Sequence, residues 1–496
     1  MVKLQSFDAL QRPSSIEVKN SAQQILVNRQ YQYDLSGNIT QIQSDSGKTE
    51  YGYDAISRLT KVRPDNALQA LGLPEEQYSY DAVGNRLSSA YQPSTWNYNG
   101  DNQLVQYPRT IPFSMNPPVE TQVSYTPQGH TQKESSSQGE RSYGYNVAER
   151  LVEITQVGQS AQYRYDPMGR RIAKHVQQGS ATHTIYFLYG EQGLLGEANA
   201  QGKLVTVYGF NPNAAQQGLW STDPIWQANL ATDPNPSLSA SSTNYHYLHT
   251  DHLGTPMLAT TKEGSSSWKA VAEAFGATGT LADKSAIVMN LRFPGQYFDE
   301  EVKGHYNFHR NYMPALGRYA QIDLLGLAAG VNVFVYGFDN PLVMIDALGL
   351  LSIENCDPVQ AARIEAALQR VKQMLLEECE KPICDKNGCV PLQYCDQLKN
   401  MIDVLSISCA GVALDRNGNQ DRNVCADAFL GTNKMRVYQH GLSGCRCLSL
   451  TIYHETFHNI GIGHVGESGG YSVNMGGHGD GDAVYQYEFA CRKRLC

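Results

Sequence analysis

A short tyrosine-rich unit recurs in the first part of the chain and constrains its fold more than any other feature. Three clear copies read YQYDLSGNITQI from Tyr31, YGYDAISRLTKV from Tyr51 and YSYDAVGNRLSS from Tyr78. Less regular copies follow as far as YRYDPMGRRIAK, which begins at Tyr163, and the second aromatic residue returns every 18 to 27 residues. A period in this range is typical of repeat architectures, in which each unit stacks on the next.

Each copy has the pattern of a β-hairpin. In Tyr-x-Tyr the two rings lie on one face of a strand, because side chains alternate between the faces. The following Asp-x-x-Gly, as in Asp34 to Gly37, predicts a tight turn, since Asp bonds to the backbone ahead of it and Gly adopts positive φ. A second strand then returns. A single hairpin is marginally stable, so the units are expected to stack into one all-β sheet.

These copies resemble the YD repeats of Rhs and Tc-toxin proteins, which wind a long β-sheet into a hollow shell around a toxic cargo. The segment from Arg292 to Leu350, RFPGQYFDEEVKGHYNFHRNYMPALGRY and onward, is similar to the Rhs core that precedes the variable tip. The stretch YHYLHTDHLGTPMLAT from Tyr245 fits the same family. The resemblance implies a polymorphic toxin. Because the family's shells are much longer, we expect a truncated cassette with a partial shell.

The composition changes abruptly near residue 350. All 11 cysteines lie between Cys356 and Cys496, whereas most of the 30 tyrosines precede residue 340. We therefore expect a multidomain chain: a YD-repeat β-shell segment over residues 1–290, an Rhs-associated core with a self-cleavage motif over 291–350, and a cysteine-rich, zincin-like α+β domain over 351–496. The alternative is a YD-repeat adhesin or structural protein without enzymatic activity.

Two Asp-x-x-Gly-Leu motifs, at Asp323 and Asp346, predict self-cleavage through the same resemblance. The family's signature places cleavage after the Leu of the second motif, here between Leu350 and Leu351. The proline that follows each Asp in the family is absent, and Ala347 follows Asp346 instead. Two nearby carboxylates cannot both ionise easily, so one would activate water and the other would keep a proton, as in aspartic proteases. The alternative is that both Asp residues only cap turns.

The sequence YHETFHNIGIGH at residues 453–464 is the strongest chemical signal in the chain. His454 and His458 are one helical turn apart, so both imidazoles point to one place, and Glu455 lies beside them as a general base. Gly461 allows a turn that brings His464 in as a third ligand. Three neutral imidazoles leave one position of a zinc ion open, which a catalytic site requires.

This pattern is the extended HExxHxxGxxH motif of the metzincins, so it predicts a zinc metallopeptidase. Met475 is a candidate for the methionine that metzincins place under the metal, and Tyr471, Tyr485 or His478 for the oxyanion donor. The alternatives are a zinc-dependent hydrolase of another amide, or histidines that bind no metal.

The cysteines allow two interpretations. Because the region contains no Cys-x2-Cys pair, disulfides are favoured over a second, structural zinc, with up to five bridges whose partners the sequence does not give. Disulfides indicate maturation in an oxidising compartment.

Charge and hydropathy narrow the choice of partners. The net charge is −9 and no basic tract is present, so no nucleic-acid partner is expected. No transmembrane segment and no signal peptide are seen, which predicts secretion or delivery into a target cell by a specialised secretion system. The expected partners are a protein or peptide substrate in the target cell, the secretion machinery and an immunity protein.

Overall fold

The computed structural model describes residues 2–10, 12–89, 96–114, 116–212, 221–230, 244–324 and 331–349, together with the backbone of four strands beyond residue 350. The chain divides into two compact units. The first contains the repeats and the segment that ends at Leu350, and the second consists chiefly of the residues from Leu351 onward. The finer division expected at residue 290 stays a prediction.

The first sheet contains seven antiparallel strands, in the order in which they occur in the chain. They are β1 (Val2–Phe7), β2 (Pro13–Lys19), β3 (Ile25–Tyr33), β4 (Ile39–Ser44), β5 (Lys48–Tyr53), β6 (Leu59–Pro64) and β7 (Glu76–Gln77). A short helix, α1 (Asn66–Ala70), joins β6 to β7. Asp65 caps this helix, because its Oδ1 accepts a hydrogen bond from the Leu68 N–H at 3.0 Å.

The second sheet contains sixteen strands, again antiparallel and consecutive. They are β8 (Asn97–Tyr98), β9 (Leu104–Arg109), β10 (Val119–Tyr125), β11 (Thr131–Ser136), β12 (Gly139–Tyr145), β13 (Leu151–Gln156), β14 (Gln159–Tyr165), β15 (Arg171–Gln178), β16 (Ala181–Gly190), β17 (Gly193–Asn199), β18 (Leu204–Phe210), β19 (Pro224–Asn229), β20 (Asn244–Thr250), β21 (Pro256–Thr260), β22 (Ser266–Ala272) and β23 (Thr278–Ser285). Strands that pair with their sequence neighbours form by local hairpin closure. The expected all-β repeat architecture is confirmed, but the hairpins form two sheets and not one.

The turn of each repeat follows the chemistry of its sequence. In the third copy, Asp81 Oδ1 accepts hydrogen bonds from the backbone N–H groups of Val83 and Asn85, at 3.0 and 2.8 Å. Gly84 has φ +84°, a conformation that costs little only for glycine. A register shift precedes the turn at the second tyrosine of the unit, as at Tyr53 and Tyr145, and this bulge bends the strand into the turn.

The second tyrosine of each unit also ties neighbouring turns together. Its hydroxyl donates a hydrogen bond to a backbone carbonyl earlier in the chain. In seven of the eight pairs given next the acceptor is the first residue of a strand, and in the eighth it is Arg86, which lies outside the named strands. The donor–acceptor pairs are Tyr33–Pro13, Tyr53–Ile39, Tyr80–Leu59, Tyr98–Arg86, Tyr125–Leu104, Tyr145–Thr131, Tyr165–Leu151 and Tyr189–Arg171, at 2.6–3.0 Å. We call this series the tyrosine ladder. It explains why the repeat keeps tyrosine, and not phenylalanine, at this position.

A small four-stranded sheet packs against the repeats. Its strands are β24 (Tyr297–Asp299), β25 (Gly304–Asn307), β26 (Arg310–Met313) and β27 (Arg318–Tyr319), antiparallel and consecutive. A buried ion cluster joins it to β15: Arg171 binds both carboxylate oxygens of Asp299, and Lys174 Nζ lies 3.0 Å from Asp299 and 3.2 Å from Glu301. The two cations and two anions compensate one another away from water. A further strand, β28 (Met344–Ile345), follows the sheet in sequence.

The second unit contains four described strands: β29 (Ile353–Glu354), β30 (Ser406–Ala410), β31 (Ala426–Ala428) and β32 (Lys434–Tyr438). They lie in the order β29, β30, β32, β31, with the first two pairs parallel and the last antiparallel. The helix expected from Asp357 to about Glu380 lies outside the described residues. Among the residues that the structure does describe, no helix has the length and apolar character needed to cross a membrane.

Candidate self-cleavage site

The structure brings the two predicted carboxylates to one cation. Arg310, the first residue of β26, lies between Asp323 and Asp346. Its Nη2 is 2.9 Å from Asp323 Oδ2 and 3.1 Å from Asp346 Oδ2. All three side chains are at most 4% exposed, so little water screens these charges.

Asp346 also accepts hydrogen bonds from two neighbours. The Tyr319 hydroxyl donates to Asp346 Oδ2 at 2.7 Å, and Asn307 Nδ2 donates to the Asp346 main-chain carbonyl at 2.8 Å. Asn307 Nδ2 also lies 2.8 Å from the Tyr319 hydroxyl. Burial and the negative charge of Asp346 raise the pKa of Tyr319 well above its usual value, so Tyr319 stays a donor at any physiological pH.

Asp323 is held from its backbone as well as from its side chain. The Asp323 N–H donates to the Val333 carbonyl at 2.9 Å, and Arg310 Nη1 donates to the same carbonyl at 3.3 Å. The Arg310 guanidinium lies 3.6 Å from the centre of the Tyr319 ring, a cation–π contact. The site is therefore one packed cluster and not two separate turns.

The segment that leads to the expected cut is seated on the β25–β26 hairpin. Gly349 has φ +73°, and a Cβ there would lie 2.9 Å from the Asn307 carbonyl oxygen. The Leu348 carbonyl accepts from the His309 N–H at 3.2 Å. On the other side, a Cβ on Gly295 would overlap the carbonyl of Ala347, the residue that replaces the family's proline. The chain makes this close turn although that proline is absent.

Sequence reasoning missed Arg310, Tyr319 and Asn307. No local pattern marks them, since Arg310 and Asp346 are 36 positions apart. The scissile residues Leu350 and Leu351 lie outside the described residues, so cleavage there stays a prediction.

The predicted zinc site also lies outside the described residues. This holds for the ligands His454, His458 and His464, for the base Glu455, and for Met475. The same is true of the three candidate oxyanion donors and of all 11 cysteines, apart from the backbone of Cys409 in β30. Within the residues that the structure describes, no group of three or more His, Cys, Asp or Glu side chains is arranged to hold a metal ion. Zinc and disulfides therefore stay predictions.

Two protein families match the repeat region. Residues 1–210 match the family described as Teneurin YD-shell, and residues 246–281 match the family described as RHS protein. The two matches cover the YD copies and the stretch after Tyr245 that suggested the resemblance.

Several toxins are similar over most of the chain. Toxin protein Tse5 of Pseudomonas aeruginosa is 29% identical over 365 residues, 65% of this chain and 27% of that protein. Double-stranded DNA deaminase toxin A of Burkholderia cenocepacia is 29% identical over 350 residues, 67% of this chain and 23% of that protein. Probable deoxyribonuclease RhsA of Dickeya dadantii is 25% identical over 362 residues, which are 65% of this chain and 21% of that protein. The chain thus spans about a quarter of the length of these curated relatives.

Solved structures share the fold. A Photorhabdus luminescens Tc holotoxin pore structure with a TccC3 mutation has a TM-score of 0.50 at 16% identity, over 70% of this chain and 18% of that one. The TcdB2–TccC3 crystal structure has a TM-score of 0.50 at 17% identity, with the same coverage. Identities this low show the fold alone.

One expectation from the sequence is wrong. The acidic net charge and the lack of a basic tract excluded nucleic acid and left a protein or peptide as the substrate. Two relatives are named for action on DNA, a double-stranded DNA deaminase and a probable deoxyribonuclease, which contradicts that exclusion. The net charge of a whole multidomain chain says little about what one of its domains acts on.

The repeated hairpins, the two family matches and the shared fold lead to one conclusion. Residues 1–210 and 246–281 form YD-repeat and RHS segments that are similar in sequence to polymorphic toxins and share their β-repeat fold with solved Tc-toxin structures.

Proposed function

We propose that this chain is the C-terminal part of an Rhs-type polymorphic toxin, whose shell and core carry an enzymatic domain and release it by self-cleavage after Leu350. One observation carries the proposal: Asp323 and Asp346, from motifs apart in sequence, share one buried guanidinium nitrogen beside the segment that ends at Leu350. Residues that only capped their own turns would have no reason to converge on one cation.

In the proposed reaction, one carboxylate takes a proton from a water molecule while the oxygen of that water attacks the Leu350 carbonyl carbon. The C–N bond to Leu351 then breaks, and the carboxylate passes the proton to the leaving nitrogen. Arg310 offsets the negative charge that develops next to the pair, and Tyr319 orients Asp346 through the 2.7 Å hydrogen bond. The products are a carboxylate at Leu350 and an amine at Leu351.

We propose further that the released domain, residues 351–496, is a zinc-dependent hydrolase. Its support is the HExxHxxGxxH motif, in which His454, His458 and His464 supply three neutral nitrogen ligands that suit a catalytic zinc. Zinc bound there would act as a Lewis acid and would make water a better nucleophile at neutral pH. Glu455 would accept the proton of the attacking water.

The substrate of this domain is best tested on two classes of bond. Because relatives are named for action on DNA, single- and double-stranded nucleic acids come first. An amide-bond library comes second, since the motif is typical of metallopeptidases.

The release step has a direct test on the purified full-length chain. We expect the wild type to yield two fragments, which mass spectrometry places at Leu350 and Leu351. Asp323→Asn and Asp346→Asn should remain one intact chain. Asp101→Asn, at an exposed turn, is the control and should cleave like the wild type. Normal cleavage in both site variants would leave turn capping as the role of these aspartates.

A further inference from the structure

A repeat turn contacts the tip of the hairpin that binds Asp346. Strands β25 and β26 pair through Asn307 and Arg310, which leaves Phe308 and His309 as a two-residue loop. Arg150 reaches this loop from the repeat turn that precedes β13. Its Nη1 donates to the Phe308 carbonyl at 2.8 Å, and its Nη2 lies 3.4 Å from His309 Nδ1. The guanidinium carbon is 5.3 Å from the centre of the Phe308 ring.

These contacts stabilise a loop whose backbone is strained. Phe308 has φ +51°, in the left-handed region that a bulky side chain seldom occupies. Conformations of this kind are unfavourable for residues other than glycine and persist only where the surroundings hold them. Arg150 binds the carbonyl of this same residue, so it stabilises the strained form directly.

Three residues of the hairpin tip, which comprises residues 307–310, bond to the cleavage segment. Asn307 Nδ2 binds the Asp346 carbonyl, Arg310 Nη2 binds the Asp346 carboxylate, and the His309 N–H binds the Leu348 carbonyl. A shift of the tip would therefore move Asp346 and the residues next to Leu350 together. A misplacement of about 1 Å near reacting groups can cost roughly 100-fold in rate.

Arg150 in turn depends on the next repeat. Its guanidinium lies against Gly169, where a Cβ would overlap Nη2, and 5.7 Å from the centre of the Tyr165 ring. The Tyr165 hydroxyl donates to the Leu151 carbonyl at 2.7 Å, as a member of the tyrosine ladder. Two neighbouring repeats must therefore be stacked before Arg150 is in place.

We propose that Arg150 is a positioning residue that makes self-cleavage depend on the assembled repeat sheet. It acts through Phe308 and His309 on the tip that carries Asn307 and Arg310, and it touches neither carboxylate. The C-terminal domain is then cut free only after the repeats around residues 146–170 have stacked and the core is seated on them. This inference rests on the self-cleavage proposed above.

The chain offers a matched control. Arg170 occupies the same place in the next repeat, where it pairs with Asp166 at 2.6 Å and lies 5.7 Å from the Tyr189 ring. These contacts stay within the repeats. Both arginines are half-buried at a repeat turn, so either substitution removes one cation and its turn contacts from the sheet, and only Arg150→Ala also removes the contacts to Phe308 and His309.

The test measures the rate of cleavage during refolding of the full-length chain. Arg150→Ala should cleave at least tenfold more slowly than both the wild type and Arg170→Ala, at a urea concentration well below the unfolding midpoint of all three chains. Arg150→Lys should recover part of the lost rate, because lysine restores a donor to the Phe308 carbonyl. A merely structural role would slow both alanine variants alike and would show no rescue.

The possible outcomes separate the two proposals. If the wild type cleaves, Asp346→Asn does not, and Arg150→Ala cleaves at the wild-type rate, the positioning role is overturned while self-cleavage stands. If the wild type stays intact, self-cleavage itself is overturned. Slow cleavage in Arg150→Ala with normal cleavage in Arg170→Ala supports both proposals.

Discussion

At the scale of single residues, Asp346 is the best-connected group of the candidate site. It is bound by a guanidinium, a phenol and an amide, from Arg310, Tyr319 and Asn307. Such a set fixes both the carboxylate and the main chain of the residue four positions before the expected cut. Orientation of this kind is what a self-cleaving carboxylate requires.

Tyr319→Phe should therefore slow self-cleavage by roughly 10- to 100-fold, because a hydrogen bond to a charged group contributes ~1.5–3 kcal/mol. The time course of fragment formation measures this effect. Tyr312→Phe is the matched control, since Tyr312 is equally buried and donates to the Phe275 carbonyl at 2.8 Å, away from Asp346. Equal rates for the two variants would rule out orientation of Asp346 by Tyr319.

The carboxylate pair could be predicted from the sequence, whereas its cation could not. Asp323 and Asp346 each stand in a short motif with a recognisable turn glycine. Arg310 stands in no motif, and it meets its partners only because the hairpin of β25 and β26 folds back onto the chain near Val333 and Asp346. Contacts of this range depend on tertiary packing, which a local pattern does not encode.

At the scale of elements, each hydrogen bond of the tyrosine ladder is expected to add to the stability of its own repeat. Tyr145→Phe should lower the free energy of unfolding by ~1 kcal/mol, because the Thr131 carbonyl loses its hydroxyl partner while the partly buried ring keeps its packing. Urea denaturation of the uncleavable Asp346→Asn chain measures this loss. Tyr186→Phe, at a ring 39% exposed, is the control and should change little. No difference between the two would show that the ladder contributes no net stability.

The junction between β7 and the turn after β22 should respond to pH. Glu76 is 2% exposed, and burial raises its pKa to about 7, although the Tyr78 hydroxyl and the Ala274 N–H bind it. Burial likewise raises the pKa of Asp339 to about 7. Because the folded state holds these protons more tightly than the unfolded chain, stability should fall as pH rises from about 4.5 to 7.

Glu76→Gln should remove part of this pH dependence, on the order of 2–3 kcal/mol between pH 5 and pH 8. Urea midpoints at the two pH values, again in the Asp346→Asn chain, give the measurement. Glu120→Gln, at an exposed position of β10, should keep the fall seen in the parent chain. The same fall in Glu76→Gln would place the titrating group elsewhere.

The repeat elements were predictable because their causes are local. Tyr-x-Tyr, Asp and Gly lie within seven residues, and they specify a strand, a bulge and a turn without help from the rest of the chain. The buried cluster of Arg171, Lys174, Asp299 and Glu301 was not predictable, since its two cations lie more than 120 positions before its two anions. These charges become buried only when the four-stranded sheet packs against β15.

At the scale of the whole molecule, the similarity to known toxins is confined to about two thirds of the chain. The relatives share about two thirds of this chain at 25–29% identity, yet their names differ: a deaminase in one case and a deoxyribonuclease in another. Because proteins that share this fold have different activities, the fold alone does not show which activity a given chain has. The enzymatic class of residues 351–496 therefore rests on their own motif, and it needs its own test.

Metal analysis of the full-length chain and of its cleaved form gives that test. We expect one zinc per chain in the wild type and in Glu455→Gln, because the three histidine ligands remain, and loss of zinc in His458→Ala. His478→Ala, a histidine outside the motif, should keep the metal. Hydrolysis of nucleic acid or of an amide bond should appear in the wild type and disappear in Glu455→Gln at unchanged zinc content, since the general base alone is removed. Zinc retained in His458→Ala would show that the motif does not form the site, and the shell would then carry a cargo of different chemistry.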